Sequence, residues 1–178
     1  MNKITSALTP ICLAALTLTV AACMGSLHGA RVPATLQPDA GRLSDRLAAR
    51  GVQIYECRAQ PNAASGALWV FVAPEAELLD ARGAVTGKHY AGPHWESLDG
   101  SKIIGAVKAR ADAPQSDAIP WLLLSAKSVG GPGRFANVTS VQRIHTVGGL
   151  APSKPCNGST LGAIERVPYS ADYLLYAS

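Results

Sequence analysis

Trp95-Glu96-Ser97-Leu98-Asp99-Gly100-Ser101-Lys102-Ile103-Ile104-Gly105-Ala106-Val107 is the stretch on which the fold class turns. Two strand-length runs flank Asp99-Gly100, a dipeptide that tolerates the two positive φ angles of a type I′ turn. The twist of that turn suits an antiparallel hairpin. The same signals recur on both sides. Val52-Gln53-Ile54-Tyr55-Glu56-Cys57 alternates, and Leu68-Trp69-Val70-Phe71-Val72 is β-branched and aromatic, with Pro74 expected to end that run. Trp121 to Ala126 is apolar and of strand length, and Tyr173-Leu174-Leu175-Tyr176 supplies a last strand. Asn137 to Val147 alternates cleanly. Val138, Ser140, Gln142, Ile144 and Thr146 share one face, and Asn137, Thr139, Val141, Arg143, His145 and Val147 share the other. Gln142 is expected to be a buried amide that bonds to backbone.

Asp39 to Arg50 is ambiguous. Leu43, Leu47 and Ala48 make a helical stripe between a possible N-cap at Asp39 and a stop at Gly51, while Leu43, Leu47 and Ala49 share a strand face. Even so, about eight short strands with Gly- and Pro-rich connections and no sustained helical period define an all-β chain. The expected architecture is a single antiparallel β-sandwich or closed barrel. No fixed-period repeat is present, which argues against a propeller or solenoid.

The N-terminus carries a different message. Lys3 precedes an apolar run from Ile4 to Val20, followed by Ala21-Ala22-Cys23. Charge, length and small terminal residues describe a secretory signal peptide. Its end resembles the bacterial lipoprotein signal, in which Cys23 is acylated by chains such as palmitate and becomes the mature N-terminus. Two or more acyl chains anchor stably where one does not. The competing reading is ordinary cleavage, for instance after Ala30, with Cys23 discarded. Met24 is not the Asp that holds lipoproteins in the inner membrane, so the resemblance points to the outer membrane, facing the periplasm. The expected organisation is a leader over 1–22, a flexible tether over 23–38 and one β-rich domain over 39–178.

Charge and cysteines narrow the function further. The formal charge of the 178-residue chain is +4, and +3 without Lys3. Its basic residues are scattered, which argues against nucleic acid as a partner. Cys57 and Cys156 form an even pair in an oxidising compartment, and a disulfide is the default reading. A redox or metal role lacks the Cys-x-x-Cys spacing.

Gly51 to Cys57, Pro93-His94-Trp95-Glu96 with Asp99-Gly100-Ser101, and Val141-Gln142-Arg143 through Gly148-Gly149 with Cys156 occur in that order. Together they resemble DUF3455, a secreted bacterial and fungal family of unknown function, over about Asp39 to Tyr176. The resemblance implies a secreted or lipid-anchored β-rich domain. Some fungal relatives carry a malate-dehydrogenase label, and this sequence argues against taking it over. Dinucleotide binding needs Gly-x-Gly-x-x-Gly between a strand and a helix, and Gly130-Gly131-Pro132-Gly133 lacks that spacing. No nicotinamide or other cofactor is expected.

The local signatures of a serine nucleophile, Gly-x-Ser-x-Gly and Ser-x-x-Lys, are absent. His89, His94 and His145 are weak candidates for zinc or copper ligands, with Glu96 nearby, and their spacing fits no established metal signature. Trp69 and Trp121 lie in apolar runs and are expected in the core. Trp95 is expected to be exposed, where an aromatic ring can stack on a ligand. Tyr55, His94, Trp95, Glu96 and Arg143 are therefore the candidate ligand-binding residues. The leading expectation is a lipid-anchored envelope protein that binds a ligand or partner without catalysis. The alternatives are a metal-dependent or hydrolytic enzyme built on the histidines, and a purely structural envelope protein.

Overall fold

A computed structural model describes residues 30–178. The leader, Cys23 and the first part of the expected tether lie outside the described residues. Eight strands form a closed antiparallel barrel in which each strand pairs with its sequence neighbours and the last pairs with the first. They are β1 (Arg42–Ala59), β2 (Ala67–Leu79), β3 (Val85–Tyr90) and β4 (His94–Ser97). β5 (Lys102–Ala111), β6 (Trp121–Ser128), β7 (Val138–Gly148) and β8 (Ile164–Ala177) complete it. Of the two expected architectures, the chain adopts the barrel. Closure removes the free sheet edges that a sandwich would leave.

The ambiguous segment is resolved as strand. From Arg42 onward β1 is paired to β8, and from Ala48 onward to β2 as well. Tertiary pairing on both sides outweighs the local helical stripe. Gly51 sits at the tightest point, where a Cβ would lie 2.1 Å from the Glu75 carbonyl oxygen, so only glycine fits. β2 passes through Pro74 instead of ending there. At Pro74 the strand has β1 as its only neighbour, because pairing with β3 starts at Ala76. An edge position tolerates the missing N–H.

The β4–β5 hairpin is present, with a different turn from the one its sequence suggests. The Gly100 amide donates to the Ser97 carbonyl and the Ser97 amide donates to the Ser101 carbonyl, and Gly100 alone is left-handed (φ 83°). This is a three-residue loop with a glycine bulge, not type I′. Asp99 is freed to accept from the Ser101 amide and hydroxyl and from the Arg134 amide, which holds its carboxyl well below the usual range. Arg134 in turn pairs with Asp45, and Phe135 plugs this end of the barrel among Leu47, Ile103, Val138 and Leu175.

The alternation expected for β7 is interrupted by bulges at Val138/Ser140 and Ile144/Val147. Val138 joins Val141 in the barrel interior, while Gln142 and Ile144 face outward. That outward face is not bare. Residues 32–36, assigned to the tether on composition, pack onto it through a short 3₁₀ turn (Ala34–Leu36). Leu36 is fully buried against Trp121, Leu123, Ile144 and Leu174, and Gln142 donates to its carbonyl at 2.6 Å. Leu36→Ala is expected to destabilise the domain by about 2–3 kcal/mol in denaturant unfolding, from lost burial plus a residual cavity. A loss below about 1 kcal/mol would show that the segment does not cover the face in solution.

Cys57 and Cys156 are bridged, closing a separation of 99 residues. The bridge fastens the β7–β8 connection (149–163) to the end of β1. Residues 30–178 thus contain the closed barrel, its core clusters and its disulfide, the features by which a domain can in principle fold alone.

Candidate functional site

The barrel wall is uneven. β2 has 13 residues and β5 has 10, but the hairpin between them, β3 and β4, has only 6 and 4. β3 pairs with β2 only from Ala76 to Leu79, and β4 pairs with β5 only over Lys102 to Ile104. Above the hairpin tip at Gly92-Pro93, β2 and β5 therefore face one another across a notch. It opens into a cavity of about 320 Å³ inside the barrel, and all eight strands contribute to its wall. Phe71, Val72 and Val107 line the notch and are 43 to 60 % exposed. Large apolar side chains gathered at the mouth of a cavity mark a place of contact.

Inside, the wall is mostly apolar, with a few polar groups in fixed positions. Trp95 lies opposite His89 and Ile103, a register that turns its ring inward, and Gly105 leaves room for it. The expectation that Trp95 is exposed is thus corrected: it is 1 % exposed. Its ring stacks on His89 (4.3 Å between centroids) and meets the edge of Tyr173. The Trp95 Nε1–H and the Gln53 Nε2–H₂ are buried and have no hydrogen-bond partner among the described residues.

His89 is buried, and its Nδ1 lies 2.8 Å from the His94 carbonyl. A carbonyl can only accept, so Nδ1 carries the proton. Burial pushes the imidazole pKa down to about 3, assisted by the charges of Arg143 and His94 and opposed by that hydrogen bond. The ring is neutral near pH 7 and offers Nε2 as an acceptor.

Arg143 is the charged member of the cavity wall. Its Nε and Nη2 donate to the Pro120 carbonyl at 3.2 and 2.8 Å, and no carboxylate pairs with it among the described residues. The Tyr173 and Tyr169 hydroxyls lie 3.5 Å apart. Burial raises the pKa of both phenols and that of Tyr55, and the Arg143 charge opposes the rise in all three.

The five candidate ligand-binding residues separate. Trp95 and Arg143 line the cavity. Tyr55 does not line it, and instead donates to the Gly149 carbonyl at 2.7 Å and packs edge-on against Phe71. His94 and Glu96 do not join them, because they alternate with Trp95 on β4 and point outward. His94 stacks on Tyr90 and its Nδ1 donates to the Ala91 carbonyl. Glu96 accepts from Tyr90 at 2.5 Å, which lowers its own pKa with help from Lys88 and Lys102 and pushes Tyr90 up to about 12.

The three histidines do not assemble. His89 is inside, His94 is at the hairpin tip, and His145 is outside beside Trp121, with its Nδ1 2.8 Å from Asp172. The bulge that gives His145 its positive φ (49°) separates it from Arg143, whose strand face it was expected to share. Among the described residues no three His, Cys, Asp or Glu side chains converge as a metal site. Trp121 is in the core as expected, though in the outer cluster under Leu36. Trp69 is partly buried against the disulfide, its Nε1–H donating to the Lys154 carbonyl.

Sequence reasoning missed Gln53 and the notch residues Phe71, Val72 and Val107. Gln53 could have been found. It shares an alternate-residue face with Tyr55 and Cys57, which makes it a polar residue on a core-facing stripe.

An eight-stranded up-and-down barrel with a lateral entrance and a lined interior belongs to the class of barrels able to hold one small ligand. A model for the family described as Protein of unknown function (DUF3455) matches residues 38–177, and the chain belongs to that family. No curated protein and no solved structure matches it.

Proposed function

We propose that this is a lipid-anchored envelope protein whose barrel interior binds a small, mainly apolar ligand without transforming it. The observation that carries the reading is the pair of buried, unpartnered donors, Trp95 Nε1 and Gln53 Nε2, on a mostly apolar cavity wall. A buried N–H without an acceptor costs about 1–3 kcal/mol, which a ligand acceptor would recover. The cavity volume lies at the lower end of the range usual for small-molecule sites. Among the described residues its wall has no Ser, Thr, Cys, Lys, Asp or Glu, so it presents no aliphatic hydroxyl or thiol nucleophile and no carboxylate base. This favours binding over hydrolysis. The apolar notch gives a route from the surface, and acylation at Cys23 would keep that route close to a membrane.

N-Phenyl-1-naphthylamine, a neutral apolar fluorophore, tests the reading on residues 30–178. Saturable binding of about one molecule per chain, with a dissociation constant on the order of micromolar, is expected. Val107→Trp at the exposed rim should weaken it at least about fivefold while leaving the melting temperature unchanged. Absence of saturable binding, or binding indifferent to Val107→Trp, would overturn the cavity reading.

A further inference from the structure

The cavity holds a cation with no counter-charge. Arg143 donates to the Pro120 carbonyl and faces the Tyr173 hydroxyl, its guanidinium lies on the cavity wall, and no carboxylate pairs with it among the described residues. The Arg143 charge lowers the pKa of Tyr55, His89, Tyr169 and Tyr173, and no carboxylate among the described residues contributes to their shifts. The interior is therefore positive at neutral pH, with His89 uncharged. Around this charge the fixed polar hydrogens are in excess. Trp95 Nε1 and Gln53 Nε2 are each at least 98 % buried and unpartnered, and the only ring nitrogen able to accept is His89 Nε2. A neutral apolar molecule fills such a site but leaves the donors unsatisfied, so it binds less tightly than a ligand that carries acceptors. The site is worse for a cation. An anion supplies several acceptor lone pairs and a counter-charge in a setting of low dielectric, where charge-assisted hydrogen bonds are strong.

The notch sets the remainder of the ligand. Phe71, Val72, Pro74 and Val107 offer it no polar side chain, so the part nearest the mouth is apolar. We infer that the ligand is an amphipathic monoanion, an apolar body carrying one carboxylate or comparable acidic group. Its anionic end points inward to Arg143, Trp95 and Gln53, and its apolar end lies between β2 and β5. Arg143 is thereby the specificity-determining residue of the cavity. This rests on the cavity reading above and adds to it the charge and orientation of the ligand.

Two probes with the same skeleton separate the two statements. N-Phenyl-1-naphthylamine is neutral, and 8-anilinonaphthalene-1-sulfonate is the same molecule bearing one sulfonate. The sulfonate is expected to bind residues 30–178 at least about tenfold more tightly. Arg143→Met should remove that preference, and Arg143→Lys should retain part of it. The thermal melt of each variant shows whether it is folded. A wild-type comparison needs no variant: decanoate should displace the neutral probe at concentrations at least about tenfold below those required of decanol. If the neutral amine binds and neither anion is preferred, the charge assignment fails while the cavity reading stands. If no probe binds, the cavity reading itself fails. Displacement by decanoate points to acyl-chain acids, and preference confined to the aryl sulfonate points to aromatic acids.

Discussion

Acidification from pH 7 to 4.5 is expected to lower the stability of the barrel by about 3 kcal/mol, with His89 as the main cause. The imidazole is buried between Trp95 and Tyr173, and its pKa in the folded protein is about 3 against an ordinary 6.5. The groups facing it make protonation worse, since Arg143 and His94 both repel the imidazolium. The sign follows from the order of the two values. Above pH 6.5 neither the folded nor the unfolded chain holds the proton, and the full stability is present. Below 6.5 the unfolded chain takes up the proton and the folded one does not, so stability falls by about 1.4 kcal/mol per pH unit until about pH 3. Asp99 adds to the same trend only near and below pH 4, because its folded pKa is depressed. Urea unfolding at pH 7.0, 5.5 and 4.5 measures the slope. His89→Gln should be less stable at pH 7 but nearly flat between 6.5 and 4.5. A wild-type slope equal to that of His89→Gln would show that His89 is not buried as described.

Removing the Cys57–Cys156 bridge, by reduction or as Cys57→Ser/Cys156→Ser, is expected to cost about 4 kcal/mol. The bridge closes a loop with a separation of 99 residues, so the entropy it removes from the unfolded chain is large. Native contacts that survive reduction temper the loss. The Gly162 amide still donates to the Cys57 carbonyl and the Cys57 amide to that of Ala163. Ala67 and Trp69 still pack beside the site. Denaturant midpoints of oxidised and double-serine protein give the difference directly. A value under about 1 kcal/mol would mean that the β7–β8 connection is held by these contacts and that the bridge is incidental.

Much of the fold was legible because β-structure announces itself through alternation and turn chemistry. Val52–Cys57, Leu68–Val72, Trp121–Ala126 and the hairpin around Asp99-Gly100 all lie in strands where their patterns placed them. Other elements were hidden for specific reasons. β3 contains Gly87 and Lys88, which dilute a six-residue run below recognition. The first half of β1 carries a helical stripe that only pairing to β8 overrides. Bulges in β2, β5 and β7 shift the alternation by one residue, and a one-residue slip exchanges the faces of everything beyond it. That is why Arg143 and His145, read as neighbours on one face, end on opposite sides of the wall.

The candidate site was legible in part. Arg143 was singled out as a polar residue within a β-forming segment and Trp95 as a ring expected to be exposed; both line the cavity, with Trp95 buried. His94 and Glu96 were drawn in by adjacency to Trp95, yet adjacent residues on a strand point to opposite faces.

The sequence by itself determined an all-β chain, a pairing of Cys57 with Cys156 and membership of a family, because composition, alternation and motif order are properties of the chain. Tertiary structure alone decided that the sheet closes, that the short β3–β4 hairpin leaves a notch, and that Arg143, Gln53, His89 and Trp95 converge. Those residues come from β7, β1, β3 and β4, and they meet only when eight registers, bulges included, are set together. The N-terminal motif around Cys23 gives the proposed address. The barrel interior, which no local pattern encodes, gives the proposed activity.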